Sequence, residues 1–270
     1  MDRQLVAKAT HSITLRQKVG TAQNLYLGDA LIRGLGAGVP FVQTATIQRP
    51  AVLQTMNIDS TDGQGDITDI TVSGLSLFVS DQSACLAAFQ SNSFGAKQRS
   101  IGCSISNNQT VVVQGSLVAG GNVGMSVGLD PIKAEDVKSP AAQATSYDFI
   151  FGCGTTAVPP IAAGVPGTAT LIATSTRPCT LGQLILANHS AIPDDDLVVD
   201  SVRVAGLQML AGATATQQIP LAALNNRSSD IACLRLSYPI ESNARVEIQI
   251  RNFNAAAAQV SGAILIEPWK

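Results

Sequence analysis

Charged residues are scarce in this sequence of 270 residues. Asp, Glu, Lys and Arg make up 13% of it, against about 25% in an average soluble domain, while hydrophobic residues reach 46%. Disordered chains have the opposite composition, rich in charge and poor in apolar residues, so disorder is excluded. A free monomer with so little charge would be poorly solvated. We therefore expect part of the surface to be buried against a partner.

The sequence also lacks an excess of positive charge. It has 17 Lys and Arg residues against 19 Asp and Glu residues, a balance that argues against a polybasic nucleic-acid binder. The N-terminal segment is the exception, because its first 20 residues contain four cations and a single acidic residue, Asp2. These cations are Arg3, Lys8, Arg16 and Lys18. We interpret residues 1–24 as an arm that is either solvated or in contact with an acidic surface, such as phospholipid head groups or nucleic acid.

Neither a membrane span nor a signal peptide is predicted. Residues 149–176 carry no charge and could cross a bilayer by length, but their repeated Gly and Pro residues would leave backbone groups unsatisfied in lipid. The first residues lack the apolar core of a signal peptide, so we expect synthesis in a reducing cytoplasm. The five cysteines fit this expectation, because their number is odd and they lack CxxC spacing. Small buried apolar positions are the simplest interpretation of them.

Residues that carry out catalysis are scarce as well. His11 and His189 have no Cys, His or acidic neighbour at metal-ligand spacing, and each is predicted to lie on the surface. No nucleophile elbow, Walker A loop or H-E-x-x-H motif occurs. One acidic cluster, Asp194, Asp195 and Asp196, is either a solvated loop or a set of oxygen ligands for a structural Ca²⁺. We therefore expect no enzyme, and no cofactor apart from this calcium ion.

What the sequence does contain is an internal repeat. Six short anchors occur in the same order in both halves, and the spacing between partners grows along the chain without ever falling. They pair residues 38–40 with 164–166, 49–50 with 177–178, 72–75 with 204–207, 86–89 with 221–224, 106–108 with 241–243, and 129–131 with 266–268. Ordered anchors of this kind indicate a duplicated unit. We predict a first domain over residues 25–132, a linker over 133–147 and a second domain over 148–270.

The local period of hydrophobic residues indicates β-structure in both copies. Apolar and polar residues alternate strictly over residues 245–251, as in a half-buried antiparallel strand. In the equivalent segment 110–116, Val112 takes the outward position of Glu247, so we expect that face of the first copy to be covered. Further strands are predicted at 41–47, 51–58, 100–105, 122–129, 168–174, 181–187, 231–236 and 258–266.

Helices are predicted to be few and short. One is expected at residues 220–225, where Pro220 stands at a helix-starting position, with a counterpart in the first copy and another helix over 24–35. Gly, Asn, Pro and Ser clusters separate the strands at the spacing of β-sandwiches. The predicted fold is therefore all-β, with two tandem eight-stranded jelly-roll or similar sandwich domains.

Two jelly-roll-like units in one chain, with few charges and no catalytic constellation, resemble the double jelly-roll major capsid proteins of tailless, often membrane-containing, icosahedral viruses and bacteriophages. The resemblance covers residues 25–132 and 148–270. Strand patterns similar to those of phage coat sandwiches occur at 181–187, 202–206, 246–250 and 261–266. The resemblance implies a viral structural protein that forms homotrimers. Six sandwiches then approximate a hexagon, and these pseudo-hexameric capsomers tile an icosahedral shell.

The same resemblance implies the partners and the location of the protein. Its partners would be other copies of itself, capsid proteins such as a vertex or penton protein, and an internal lipid membrane reached by the N-terminal arm. No sequence-specific nucleic-acid partner is expected. The location would be the virion, with assembly in the host cytoplasm, in either a major or a minor capsid role.

A tandem β-sandwich binding module, lectin-like or part of a receptor-binding spike, is the alternative function. Such sites usually present aromatic side chains, and here aromatic residues make up 4% of the sequence, with one Trp, three Tyr and seven Phe. A hydrolase on a sandwich scaffold is the least favoured interpretation, because paired acids and a suitable base are missing.

Overall fold

Eighteen strands make up most of the computed structural model, which describes residues 25–61, 64–90, 101–138, 149–210, 218–224 and 234–267. The strands of the first half are β1 (Leu25–Leu35), β2 (Pro40–Thr46), β3 (Ala51–Ser60), β4 (Gly65–Val72), β5 (Leu75–Ser76), β6 (Ala84–Cys85), β7 (Cys103–Ile105), β8 (Thr110–Leu117) and β9 (Gly121–Pro131). Those of the second half are β10 (Ile150–Val158), β11 (Gly167–Thr174), β12 (Cys179–Asn188), β13 (Leu197–Val204), β14 (Leu207–Gln208), β15 (Ile219–Pro220), β16 (Arg235–Ile240), β17 (Arg245–Asn252) and β18 (Ala258–Glu267).

Each half folds into two antiparallel sheets with the same strand order. The first half has the orders β1-β9-β3-β7 and β2-β8-β4-β5, and the second has β10-β18-β12-β16 and β11-β17-β13-β14. The short strands β5 and β6 both lie beside β4 and act as one interrupted edge strand, as β14 and β15 do beside β13. Strands far apart in the chain are neighbours in these sheets, as in the double Greek key of a jelly roll. The fold is therefore all-β, with two tandem eight-stranded jelly rolls.

The duplication extends to the backbone dihedral angles. The β4–β5 and β13–β14 hairpins turn at Ser73 (φ 53°) and Ala205 (φ 49°), each followed by a glycine at φ 82°. Positive φ at both central positions is the geometry of a type I′ hairpin turn. Asn108 and Asn243, before β8 and β17, have φ values of 62° and 64°. The sequence anchors thus mark equivalent turns, and the predicted duplication is confirmed.

Inward-facing aliphatic side chains form one core in each sandwich. On β17, Val246, Ile248 and Ile250 are buried, and on β8 Val111 and Val113 are buried. This is the alternation that the sequence predicts for both strands. Full burial of each such side chain contributes about 1.5–3 kcal/mol, so the two cores stabilise the sheets.

The helix predicted over residues 24–35 is wrong, because this segment is strand β1, paired with β9. The register of β1 shifts around Gly28 and at Gly34, where glycine permits β-bulges. Pairing with a strand distant in sequence therefore overrides the local pattern. The helix predicted at 220–225 is present as α1 (Leu221–Leu224), and its counterpart is the 3₁₀ helix Leu86–Phe89.

Most predicted strands are present with small shifts of their ends. β16 begins at Arg235, later than predicted, and residues 231–233 lie outside the described part of the chain. The charge-free segment 149–176 forms strands β10 and β11. Within the described ranges, no helix is long and apolar enough to cross a membrane.

Candidate functional site

Two equivalent edge strands expose hydrophobic side chains. Among the described strands, β2 and β11 are the end strands of corresponding sheets, and neither contains a charged residue. Val42 on β2 is 41% exposed and Ile172 on β11 is 43% exposed. Native proteins commonly protect such edges with charged residues, because an uncharged edge can pair with another chain. The two edges are therefore candidate contact surfaces for other molecules.

The turns that lead into these strands present one more hydrophobic residue each. Val39 and Val165 belong to the repeated Gly-Val-Pro anchor, and both are exposed. The glycines before them, Gly38 and Gly164, have φ values of 68° and 80°, a conformation that favours glycine. Both copies thus hold a valine at the same place beside the edge strand, and the exposed hydrophobic surface is duplicated together with the fold.

The outward faces of the corresponding sheets differ in the way the sequence predicts. Val112 lies on β8 between Thr44 of β2 and Thr71 of β4, and its side chain is half-buried. Glu247 holds the same position on β17, between β11 and β13. The first sandwich thus has an aliphatic side chain at the centre of a face where the second has a carboxylate.

Ion pairs lie on the outward face of the second sandwich that β13 and β17 form. The corresponding face of the first sandwich is nearly neutral. Arg251 Nη2 is 2.9 Å from Asp200 Oδ2, and Arg245 Nε is 2.7 Å from Glu247 Oε1. On β2, β4 and β8 the charged residues are Asp69 and Asp66, and Asp66 turns toward the second sandwich. Exposed ion pairs contribute only about 0–1 kcal/mol each. Their main consequence is that this face of the second sandwich is more polar than the corresponding face of the first.

Backbone hydrogen bonds join the two sandwiches. The amide of Val79 donates to the carbonyl of Ile150 at 3.0 Å, and the amide of Thr176 donates to the carbonyl of Val79 at 2.8 Å. Val79 packs in the core of the second sandwich, while Ile150 packs in the core of the first. The sandwiches therefore share a buried boundary.

A polar cluster with a histidine lies at this boundary. His189, between β12 and the 3₁₀ helix Asp194–Asp196, is 8% exposed, so its predicted surface position is wrong, because the first sandwich packs over it. Its Nε2 lies 2.5 Å from Ser261 Oγ on β18 and 4.0 Å from Asp66 Oδ1 on β4. Thr155 Oγ1 on β10 donates to the other oxygen of Asp66 at 2.6 Å. Burial lowers the pKa of His189, and the carboxylate of Asp66 partly opposes this effect.

The arrangement of this cluster does not match a nucleophilic triad. In a Ser-His-Asp triad the carboxylate binds Nδ1 and the serine binds Nε2. Here Ser261 and Asp66 both approach Nε2 of His189. The cluster is also buried, so its geometry favours a structural role between the sandwiches.

The acidic cluster forms a short 3₁₀ helix, Asp194–Asp196. Asn188 Nδ2 donates to Asp194 Oδ1 at 3.0 Å, and Asn254 Nδ2 donates to Asp196 Oδ2 at 2.7 Å. In the described part of the chain, no group of three or more His, Cys, Asp or Glu side chains could hold a metal ion. A calcium site at Asp194, Asp195 and Asp196 gains no support from this geometry and stays a prediction.

The predicted N-terminal arm lies outside the described residues, and so does His11. The arm's cations are Arg3, Lys8, Arg16 and Lys18. Their contact with an acidic surface therefore stays a prediction.

Four of the five cysteines lie within the described residues. Cys85, Cys103, Cys153 and Cys179 are all buried thiols. Burial raises the pKa of Cys103 to about 12 and raises that of Cys153 as well, so both thiols stay protonated at neutral pH. These positions are small buried apolar residues, as predicted.

Comparison with known proteins gives similarities at the level of structure and none at the level of sequence. No known family model matches the sequence, and no curated protein matches it. Among solved structures, the chain is similar to the major capsid protein P2 from bacteriophage PM2, with 8% identity and a TM-score of 0.29 over 90% of this chain and 98% of that chain. A TM-score this low does not establish a common fold, so the jelly-roll assignment rests on the strand order described above.

Proposed function

We propose that this protein is a structural capsid protein of a virus or bacteriophage, whose copies associate through the uncharged edges of their sandwiches. One observation carries the proposal. Two sandwiches with identical strand order present equivalent edge strands, β2 and β11, that lack charge and expose hydrophobic side chains. A chain with two similar edges can contact two neighbours in similar ways, which suits a repeating shell.

The finer form of the proposal is a homotrimer. Three chains with two sandwiches each place six similar units around a threefold axis, since closed symmetric assemblies are the common form of homo-oligomers. Such a pseudo-hexameric capsomer would tile an icosahedral virion. The sandwich domains would span residues 25–132 and 148–270, joined by the linker 133–147.

Other components would complete such a shell. The basic arm 1–24 would reach an internal membrane or another acidic layer, and a vertex or penton protein would close the lattice. These partners follow from the resemblance to double jelly-roll capsid proteins and from the charge of the arm.

Lysine substitutions on the two edges test the proposal. Val42→Lys and Ile172→Lys place a charge on β2 and β11, where an edge contact would bury it. Phe253→Lys is the matched control, because Phe253 is also exposed but lies in the turn after β17 and on no edge strand. We expect both edge variants to fold and to lose assembled particles in negative-stain electron microscopy, while Phe253→Lys assembles like the parent protein.

The same experiment can overturn the proposal. Normal particles from a variant that combines Val42→Lys with Ile172→Lys would exclude the edges as the contact surface. Specific binding on a glycan array by a parent protein that forms no particles would favour the lectin-like alternative.

A further inference from the structure

The buried cluster between the sandwiches leaves one imidazole nitrogen without a partner. His189 Nδ1 and Asp66 Oδ1 are buried and have no hydrogen-bond partner among the described protein atoms. The side chain of His189 is 1% exposed and that of Asp66 is 16% exposed. A neutral imidazole has one N–H donor and one acceptor nitrogen. If the proton sits on Nε2, it can be donated to Ser261 Oγ, and Nδ1 remains a bare acceptor.

Protonation would change this arrangement. The imidazolium carries an N–H at both nitrogens, and the new donor at Nδ1 would face no acceptor among the described residues. A buried donor without a partner and a buried charge both raise the free energy of the folded state. Asp66 offsets only part of this penalty, because its carboxylate lies 4.0 Å away on the Nε2 side and already accepts from Thr155.

In the part of the chain that the structure describes, the elements around His189 bring one charged group, Asp66, to the imidazole. β4 presents Asp66, β18 presents Ser261 and β10 presents Thr155. On the segment of His189 itself, the carboxylate of Asp194 accepts from the side chain of Asn188. Because Asp66 belongs to the first sandwich and the other groups belong to the second, the cluster exists only while the two sandwiches are in contact.

Among the described residues, the pseudo-equivalent place in the first sandwich has no such cluster. The amide of His189 donates to the carbonyl of Gln259, and the amide of Thr61 makes the same bond to Asn122. Thr61 is exposed, and Gly124 stands where the second copy has Ser261. The cluster is thus a feature of the boundary and is not required by the sandwich fold.

We propose that the His189–Asp66–Ser261 cluster makes the contact between the two sandwiches acid-sensitive: the contact holds while His189 is neutral and loosens when acid protonates it. The proposal is independent of the capsid role. Because burial lowers the pKa of His189 below its unfolded value of about 6.5, the unfolded chain takes up the proton first. The stability that the neutral histidine contributes is complete above that value and is lost as the pH falls toward the lowered pKa.

Thermal unfolding of His189→Gln against the parent chain tests the proposal. Glutamine keeps a polar group near Ser261 but does not titrate. We expect the Tm of the parent to fall by roughly 2–4 °C more than that of His189→Gln on going from about pH 7.5 to about pH 5.5. His11→Gln removes the other histidine and should keep the full pH dependence of the parent. Equal pH dependence in His189→Gln and the parent would overturn the proposal.

Hydrogen exchange locates the effect. In the parent at acidic pH, and after correction for intrinsic rates, the amides of Val79 and Thr176 across the boundary should exchange faster than at neutral pH. The amides of β17, inside the second sandwich, should not. Unchanged protection of the boundary amides in the parent would contradict the proposal.

A third measurement covers the case in which His189→Gln does not fold. Nitrogen NMR of the histidine rings in the parent should show one imidazole that stays neutral through the range where a free histidine titrates. Titration of both histidines near the unperturbed pKa would overturn the proposal.

Discussion

The two sandwiches are alike inside and different outside. Val113 on β8 and Ile248 on β17 are buried at equivalent places, whereas the outward neighbours Val112 and Glu247 differ in charge. Inward positions specify the fold, because a strand with the wrong inward pattern would bury polar groups. Outward positions are free of this constraint. The comparison indicates that the two units share one fold and one kind of edge, while their outward faces differ in charge.

Removal of a core side chain in each half should have the largest effect on stability. Ile70→Ala and Ile248→Ala each empty a fully buried position, and each should lower the free energy of unfolding by about 2–5 kcal/mol. Because the sandwiches share a buried boundary, we expect a single urea-unfolding transition in both variants. Two separated transitions would show that the halves unfold independently.

The addition of a methyl group at the boundary should have the next largest effect on stability. A Cβ at Gly152 would overlap the backbone oxygens of Gln82 and Ser83, so Gly152→Ala must shift the backbone on one side of the boundary. We expect it to lower the free energy of unfolding by about 1–3 kcal/mol.

Gly124→Ala is the matched control for this boundary substitution. A Cβ at Gly124 has nothing within 4 Å, so the free energy of unfolding should change by no more than about 0.5 kcal/mol. If thermal unfolding shows that Gly152→Ala and Gly124→Ala lose the same amount of stability, the boundary is loosely packed.

Exchange of the central outward residues should affect association more than folding. Val112→Glu gives the first sandwich the carboxylate of the second, and Glu247→Val does the reverse. Each should change the free energy of unfolding by no more than about 0.5 kcal/mol. Sedimentation velocity should show weaker self-association for Val112→Glu, because a charge would be buried in the contact, and no weakening for Glu247→Val. If both variants sediment alike, the two outward faces do not differ in their contribution to self-association.

Loss of an exposed ion pair should have the smallest effect. Arg245→Ala separates the pair with Glu247, and the arginine side chain is largely exposed. The expected change in the free energy of unfolding is at most about 0.5 kcal/mol, and it should shrink further in high salt. A larger loss in chemical denaturation would indicate that this face is covered in the folded protein.

Much of this fold was predictable from local pattern and self-similarity. Alternation in β17 and the repeated V-x-G-L turn depend on residues next to one another, and both are confirmed. The strand at Leu25–Leu35 was not predicted, because pairing with β9 determines its structure and its own residues do not alternate.

The boundary cluster could not be predicted either. It joins Asp66 of one copy to His189 of the other, and neither residue has a local motif around it. The one available signal was a comparison of the copies, in which His189 and Ser261 replace Thr61 and Gly124. The lack of charge on β2 and β11 is visible in the sequence, but their position at the edge of a sheet is known only from the strand order.

Light scattering of the purified chain at micromolar concentration tests the central claim most directly. Self-association through the two edges predicts a particle with the mass of three chains of 27.9 kDa or a larger assembly built from such trimers. A monodisperse monomer of 27.9 kDa under the same conditions would contradict it.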